Sequence, residues 1–224
     1  MIDWNPIILT AKLALVTTII LLIISIPLAY WLATSKSKIK PVIETLVSMP
    51  LVLPPTVLGF YLLMAFSPGN AFGGWLQEYF GIRLIFSFSG LVIGSIIYSL
   101  PFMVNPIQSG LSGVPKSLYE ASYVLGKSKV ETLFNVLLPN IKPSLLTGIV
   151  LAFAHTVGEF GVVLMIGGNI PEKTKVVSIA IYDEVEALNY SHANTYSLIL
   201  FGITFVVLLA VYVINGGYLK KFWK

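Results

Sequence analysis

Five long stretches of this chain are almost free of charged side chains. Four of them carry no charge, and the stretch 143–171 carries only Glu159. Each is long enough for a helix to cross the hydrocarbon core of a bilayer, which takes about 20 apolar residues. The sequence therefore predicts an all-α polytopic membrane protein with a single transmembrane domain over 7–216. The five predicted transmembrane helices cover 7–33, 44–66, 86–109, 144–167 and 195–216.

The composition agrees with a membrane protein and excludes several other classes. Hydrophobic residues make up 56% of the chain and charged residues 11%, whereas a soluble domain has roughly 25% charged residues. The mean hydropathy is +0.87, so disorder, a coiled coil and a nucleic-acid partner are excluded. The chain has no Cys, which removes disulfides, thiolate metal sites and cysteine nucleophiles. Because His155 and His192 lie far apart in the sequence, no metal site is expected, and no catalytic residue is predicted.

Basic residues predict the orientation, because cytoplasmic loops of membrane proteins are enriched in Lys and Arg. Ten of the fourteen Lys and Arg residues lie between helices 1 and 2, between helices 3 and 4, or after helix 5. The N-terminus is therefore predicted outside and the C-terminus inside. Asp3 is the only charged side chain before Lys12, so helix 1 is predicted to be a retained span rather than a signal peptide. The ten are Lys36, Lys38, Lys40, Lys116, Lys127, Lys129, Lys142, Lys220, Lys221 and Lys224.

Prolines interrupt the second predicted helix. Pro50, Pro54 and Pro55 each remove a backbone donor and disfavour helix in the preceding residue. The carbonyl groups that this frees need protein or water partners at membrane depth, and broken helices of this kind often line a transport pathway. Pro54, Pro55, Thr56 and Gly59 are therefore candidate pathway or gate residues. A kink at a packed interface is an equally good interpretation.

The fourth predicted helix contains an ionisable side chain. Glu159 lies between Gly158 and Gly161, four residues after His155, and such a group costs on the order of 2.5–3.5 kcal/mol inside a membrane unless it faces protein or water. One interpretation makes Gly158, Glu159 and Gly161 part of a gate or pathway. The favoured alternative is a buried carboxyl group that is hydrogen-bonded to helix 2 or to a second subunit. A proton relay is disfavoured, because no second carboxylate lies in a span.

Small residues in the third predicted helix form a Gly-x-x-x-Gly pattern. Gly90 and Gly94 permit close helix contact, which gives weak support for a dimer interface.

The loop at 115–140, between helices 3 and 4, shows two short amphipathic helical patterns. Gly126 can supply the positive φ that ends the first, and Pro139 is expected to stop the second. The result is a two-helix elbow that suits a groove on a partner, although a helix lying on lipid has the same pattern. Gly126-Lys-Ser is not a phosphate-binding loop, because the required first glycine is Ala121. The apolar faces comprise Leu118, Ala121, Ser122 and Leu125, then Val130, Leu133, Phe134, Leu137 and Leu138.

The same loop resembles the "EAA" loop of the permeases of bacterial ABC importers. The matching positions are Glu120, Ala121, Ser122, Gly126, Val136, Leu138 and Pro139. The resemblance implies the fold of a type I ABC importer permease, in which this loop docks on a separate ATPase subunit. The chain itself would then be no enzyme and bind no cofactor, and ATP and Mg would be used by the partner ATPase.

Two further segments are similar to the oxyanion branch of these permeases. The stretch 53–59 looks like the second helix of molybdate permeases, and 158–161, followed by 168–171 and 181–182, is similar to molybdate, tungstate and sulfate permeases. The resemblance implies a homodimer in the bacterial cytoplasmic membrane that works with ABC ATPase subunits and an extracytoplasmic molybdate-binding protein. A sulfate or tungstate permease is the alternative within the family. An ion-coupled secondary transporter and a membrane scaffold are the alternatives from other classes.

Overall fold

The computed structural model describes residues 2–215, with side chains described as far as residue 213. Within that range every regular element is helical, which confirms the all-α prediction. A 3-10 turn (Met49–Leu51) follows α2, and a π-helical turn (Leu133–Leu137) joins α7 to α8. The α-helices are α1 (Asn5–Thr34), α2 (Lys40–Ser48), α3 (Pro55–Phe66), α4 (Ala71–Phe80), α5 (Phe88–Ser112), α6 (Lys116–Val124), α7 (Lys129–Thr132), α8 (Leu138–Asn140), α9 (Lys142–Val157), α10 (Gly161–Gly167), α11 (Val177–Glu186) and α12 (Tyr190–Asn215).

Three of the described helices are long and apolar enough to cross a membrane by themselves: Asn5–Thr34, Phe88–Ser112 and Tyr190–Val213. Up to five spans result if each of two sharply bent helix pairs counts as one span. One of these pairs joins Lys129–Asn140, in the loop at 115–140, to Lys142–Val157, so the bounds of the five predicted spans stay a prediction. The predicted end of the last helix at residue 216 and the terminal lysines at 220, 221 and 224 lie outside the described residues.

Helices α1, α5 and α9 form the centre of the bundle. Their contact surfaces bury large aliphatic side chains, and Leu21, Met103 and Ile107 are completely enclosed. Gln108 on α5 donates a hydrogen bond to the Glu44 carboxylate on α2 at 2.6 Å, which ties the start of the second predicted span to the centre. The central helices therefore provide the scaffold against which the shorter, broken helices are positioned.

Two of the predicted spans are not continuous helices. The segment expected to be one helix over 44–66 consists of α2, the 3-10 turn and α3, and its two parts are bent by 111°. The segment expected over 144–167 is interrupted between Val157 and Gly161, where α9 ends and α10 begins. Proline causes the first interruption, because it cannot donate to the helix and restricts the residue before it.

The structure overturns the dimer interpretation of Gly90 and Gly94. Both glycines lie on α5 and are buried within the chain: Gly90 packs against the Leu84 backbone and Ile166, and Gly94 packs against α10. A Cβ atom at Gly94 would lie 2.6 Å from Cδ1 of Ile166 and 3.2 Å from Cγ1 of Val162. The pattern therefore serves close packing of two helices of the same chain, which the sequence pattern alone does not distinguish from packing between two chains.

Two short helices occupy segments that were expected to be loops on the face opposite the elbow. Helix α4 follows α3 and ends at Gly81, whose φ of 65° is the left-handed conformation that commonly terminates a helix. Helix α11 packs against α12. These helices are too short to span a membrane, and they cover the ends of the longer ones.

Candidate functional site

The break between α2 and α3 is built from the three prolines. Pro50 lies buried in the 3-10 turn, and Pro54 has extended dihedral angles (φ −54°, ψ 136°) immediately before α3. Pro55 is the first residue of α3, a position where a missing backbone donor costs nothing. The sequence thus ends one helix and starts another within a few residues, at a sharp angle.

The break between α9 and α10 lies at Gly158, Glu159 and Phe160. Helix α9 closes with a hydrogen bond from the Gly158 amide to the Ala154 carbonyl at 3.1 Å. Phe160 has φ −128° and ψ −58°, outside the helical range, before α10 begins at Gly161. The hydroxyl group of Ser178 on α11 donates to the Glu159 carbonyl at 2.6 Å. This bond satisfies a carbonyl group that the interrupted helix leaves free.

The two breaks face each other across a glycine contact. A Cβ atom at Gly161 would lie 2.7 Å from Cβ of Pro55, and one at Gly59 would lie 2.8 Å from Cβ of Met165. Real Cβ atoms do not approach so closely, so α3 and α10 can pack in this way only because both positions are glycine. Two of the residues that the sequence analysis selected, Gly59 and Gly161, thereby hold the two broken helices together.

A cleft of about 430 Å³ lies where the two breaks meet. It contains five of the seven predicted pathway residues, while Pro54 precedes it in the chain and Gly59 packs on α10 further along α3. Tyr98 and His155 also line the cleft, and neither was selected as a site residue. The spacing of His155 four residues before Glu159 was a signal for it, whereas nothing in the sequence marks Tyr98. The lining residues are Pro55, Thr56, Tyr98, Ala154, His155, Gly158, Glu159, Phe160 and Gly161.

His155 is held in the cleft wall by stacking and by a chain of hydrogen bonds. Its ring lies 4.0 Å from the ring of Phe102 and 4.6 Å from that of Tyr98, measured between centroids. Nδ1 of His155 lies 2.9 Å from the hydroxyl oxygen of Ser99, which lies 3.1 Å from that of Thr156. The Thr156 hydroxyl donates to the Ala152 carbonyl at 2.9 Å.

The donor-to-acceptor direction of these hydrogen bonds fixes the tautomer of His155. Because Thr156 donates to a carbonyl group, it can only accept from Ser99, and Ser99 in turn can only accept from His155. When all three bonds form together, the proton of the neutral imidazole is on Nδ1 and Nε2 is a hydrogen-bond acceptor. Glu159 does not pair with this ring within 4.0 Å. The helix ends at Gly158, so the expected meeting of the two side chains one turn apart on a helix is not realised.

Glu159 is 4% exposed. Among the described residues, neither of its carboxylate oxygens has a hydrogen-bond partner, and the hydroxyl group of Ser95 also lacks one. The burial agrees with the expected buried carboxyl group, but the expected hydrogen bond to the second predicted helix is absent from the described part of the chain. An ionised carboxylate enclosed in this way would be very unfavourable. The carboxyl group is therefore better accommodated with a proton on Glu159 or with a donor from outside the described residues.

The elbow between α5 and α9 has the two arms that the sequence predicted. Helix α6 ends near Gly126, which has φ +76°, and Ser128 then starts α7 with a capping box. The Ser128 amide donates to the Glu131 carboxylate at 2.7 Å, and the Glu131 amide donates to the Ser128 hydroxyl at 3.2 Å. Donation from the Ser128 backbone, and then from its side chain, lowers the pKa of Glu131. This capping box therefore fixes the residue at which the second arm begins.

Buried hydroxyl groups join the two arms. The side-chain oxygens of Ser122 on α6 and Thr132 on α7 lie 2.8 Å apart, and both residues are enclosed. On the outer surface of the elbow, Val124 is 88% exposed and Leu125 76% exposed. Leu125 was placed on the same apolar face as Ser122, but the two side chains have opposite environments because α6 ends at Val124.

The remaining predicted elbow residues divide between the two surfaces. Glu120, Ala121 and Pro139 are exposed, whereas Val136 and Leu138 are half-buried. Pro139 does not stop the second arm as expected, because the helical segment continues to Asn140. The π-helical turn before it shifts the hydrogen-bond register, so that Leu138 donates to Leu133. The arm then meets α9 at an angle of 83°.

The described residues contain no group of three or more His, Asp or Glu side chains arranged to hold a metal ion.

One protein-family model matches most of the chain. The model of the family described as the inner membrane component of binding-protein-dependent transport systems matches residues 25–222, and the chain belongs to this family. It is a multi-pass inner-membrane protein.

Individual relatives and a solved structure extend this result. The chain is 46% identical over 213 residues to a molybdenum transport system permease protein of Azotobacter vinelandii, covering 94% of this chain and 93% of that one. It is 34% identical to a probable sulfate transport system permease protein of Zygnema circumcarinatum, covering 95% of this chain and 72% of that one. The crystal structure of a bacterial ABC transporter that imports the polysaccharide alginate aligns with a TM-score of 0.79 at 17% identity, covering 94% of this chain and 78% of that one. This likeness confirms the predicted fold of a type I ABC importer permease.

Proposed function

We propose that this chain is the permease subunit of an ATP-driven importer that carries molybdate across the cytoplasmic membrane. The observation that supports this substrate most strongly is the 46% identity to the Azotobacter vinelandii permease over almost the full length of both chains. The sulfate permease of Zygnema circumcarinatum is less similar and is longer than this chain. Sulfate and tungstate are therefore the less favoured substrates. An ion-coupled secondary transporter is disfavoured by membership of a binding-protein-dependent family.

The cleft between the two broken helices forms part of the passage. Its wall contains the first residues of α3, where Thr56 has a backbone amide close to Gly161, and its lining includes no Lys or Arg side chain. Amide groups at the start of a helix attract anions through hydrogen bonds and through the helix dipole. A path without fixed cations binds a doubly charged oxyanion weakly, and a transporter must release its substrate after each cycle.

The elbow docks on a separate ATPase subunit. Its exposed Val124 and Leu125 form an apolar tip, and its two arms are tied together by Ser122 and Thr132. A rigid elbow can transmit the closure of an ATPase dimer to α5 and α9, between which it is inserted. ATP and Mg are then bound by the partner, and the permease alternates between outward and inward access.

Two copies of the chain form the complete passage, together with two ATPase subunits and an external binding protein. In one copy the cleft is lined on one side by α3, α5, α9 and α10, and a second copy would supply the other side. The second copy is also a source of the donor that Glu159 lacks among the described residues.

Uptake measurements test the substrate. Cells that lack the gene should lose accumulation of radiolabelled molybdate at trace concentrations and should regain it when the gene is returned. Their accumulation of sulfate should stay unchanged. A sulfate requirement in the deletion strain, with normal molybdate uptake, would transfer the assignment to the sulfate alternative.

A further inference from the structure

A second, separate pocket lies on the face opposite the elbow. It is formed by the segment before α5 and the segment after α10, and it shares no lining residue with the cleft. Its volume is about 470 Å³. Arg83 and Lys173 bring two positive charges to an otherwise mostly apolar wall. The lining residues are Arg83, Ile85, Phe86, Ser87, Ile170 and Lys173.

The backbone around this pocket is held in unusual conformations. Phe86, Asn169 and Glu172 have φ values of 58°, 55° and 61°, and they are three of the four non-glycine residues with positive φ in the described range. For Phe86 and Glu172 this conformation is unfavourable, so the surrounding contacts must impose it. The Phe86 amide donates to the Ile166 carbonyl at 2.8 Å, which fixes the first segment to the end of α10.

Buried hydrogen bonds brace the second segment. The Thr174 hydroxyl is completely enclosed, donates to the Gly167 carbonyl at 2.8 Å and accepts from the Ile170 amide at 2.9 Å. Asn169 donates to both oxygens of Asp183 at 2.9 and 3.0 Å. Lys173 is therefore carried by a rigid segment rather than by a flexible loop.

The two pocket cations are not neutralised by the described part of the chain. Lys175 pairs with Asp183 at 2.6 Å, whereas Arg83 and Lys173 have no described carboxylate within 4.0 Å. The segments 67–87 and 168–189 on this face hold five acidic side chains against three basic ones. The pocket is thus a local positive site on a face that is negative overall, and such a site selects a partner by charge.

We propose that this pocket is a docking point for the external binding protein, and that it receives a carboxylate side chain from that protein. The inference rests on the proposed function, because the family is defined by dependence on a binding protein. Both cations are exposed to solvent, so a free small anion would be held weakly. A protein surface can in addition cover Phe86 and Ile170, which are partly exposed, and arginine and aromatic side chains often dominate such interfaces.

Helix α10 connects this docking point to the cleft. Its last residues hold Phe86 through Ile166, and its first residue, Gly161, contacts Pro55 at the cleft. A helix of seven residues is only about 10 Å long. Docking can therefore displace α10 and change the contact between the two broken helices without any long-range route.

The test uses the assembled permease–ATPase complex in nanodiscs and the purified molybdate-binding protein of the same organism. The Arg83→Glu/Lys173→Glu variant should associate at least about tenfold more slowly than wild type at low salt, because it removes electrostatic steering. The dependence of its association rate on salt should diminish. The binding protein should also stimulate its ATP hydrolysis less than that of wild type. ATP hydrolysis without the binding protein should be unchanged. The Lys36→Glu/Lys38→Glu variant, with the same change of net charge in the loop between α1 and α2, serves as the control.

The outcomes separate the docking inference from the proposed function. Unchanged association in the Arg83→Glu/Lys173→Glu variant, with normal association of wild type, would overturn the docking point alone. Unchanged association with slower molybdate uptake at saturating binding protein would also overturn it, because the cations would then serve the free oxyanion. A wild-type complex that shows no molybdate-dependent association at all would overturn the proposed function and the docking inference together.

Discussion

The elbow and the cleft differ in how their buried polar groups are paired. In the elbow, Ser128 and Glu131 are hydrogen-bonded to each other, and the Ser122 and Thr132 hydroxyl groups are paired. Val124 and Leu125 face outward, whereas Leu133 and Leu137 are buried. In the cleft, the buried carboxyl group of Glu159 has no hydrogen-bond partner among the described residues. The elbow is internally complete and lacks only a covering surface. In the cleft, the Glu159 carboxyl group still needs a hydrogen-bond partner. We therefore expect the cleft to be one half of a site that a second copy completes.

From this difference we expect the elbow to move as a rigid unit and the cleft to rearrange. An element whose internal hydrogen bonds are complete moves as a unit, because breaking any one of them leaves a buried group unsatisfied. An enclosed group without a partner gains from rearrangement, since a new arrangement can supply a donor. Four variants test this contrast, and they are given from the largest expected effect to the smallest.

Gly126→Val should have the largest effect. Gly126 has φ +76°, a conformation that costs an ordinary residue roughly 1–2 kcal/mol and a β-branched one more. Relief of this strain would change the angle between the two arms and misplace the exposed tip. We expect molybdate uptake and co-purification of the ATPase to fall at least about tenfold, since 1.4 kcal/mol is already a factor of about ten.

Gly126→Asn provides the matched control, because Asn tolerates positive φ far better than Val. It should keep uptake within about a factor of two, since it needs no rearrangement of the arms. Equal losses in both variants would show that the small size of the residue matters rather than its backbone conformation. Normal uptake in both would make the elbow a lipid-facing connector.

Gly161→Ala should have the next largest effect, and it acts on the cleft. The new Cβ atom would lie 2.7 Å from Cβ of Pro55, and overpacking of this kind costs typically about 1–3 kcal/mol. We expect a lower melting temperature of the purified permease and reduced uptake. Gly202→Ala on α12 is the control, because nothing described lies within 4 Å of its new Cβ atom. A melting temperature for Gly161→Ala equal to that of the control would mean that α3 and α10 separate easily.

The same contrast explains how far the sequence alone could lead. Glu120, Ser122 and Gly126 belong to a local pattern with fixed spacing, so the amino-acid pattern is enough to predict the two arms of the elbow. Its side of the membrane stays a prediction from the flanking lysines. The cleft joins Thr56 to Glu159, about a hundred residues apart, and brings in Tyr98 from α5. No local pattern encodes such packing. For the same reason Gly90 and Gly94 indicated close contact without indicating that α10 was the partner.

Ser122→Ala should have a smaller effect, confined to the elbow. It removes the 2.8 Å contact with Thr132 and leaves that enclosed hydroxyl without this partner, at a cost of about 1 kcal/mol. Amide hydrogen exchange across 116–137 should become about fivefold faster, with little change in α5 or α9. The Ser122→Ala/Thr132→Val double variant removes both groups and should recover most of the protection. Failure of the double variant to recover would show that the two hydroxyl groups do not act as a pair.

Glu159→Gln should have the smallest effect. The carboxylate oxygens are enclosed without a described partner, so the group is better accommodated as a neutral carboxyl, and an amide of the same shape replaces that form with little disturbance. Uptake should stay within about a factor of two of wild type, and the complex should assemble normally. Glu159→Leu adds information on the second copy of the chain. Leucine removes the polar group, so the fold of one chain should lose no stability, whereas a donor contributed by the second copy would be left unpaired and the dimer would weaken. A normally assembled Glu159→Gln complex without uptake would contradict the neutral, structural role, because Gln has the shape of the neutral carboxyl group but cannot ionise.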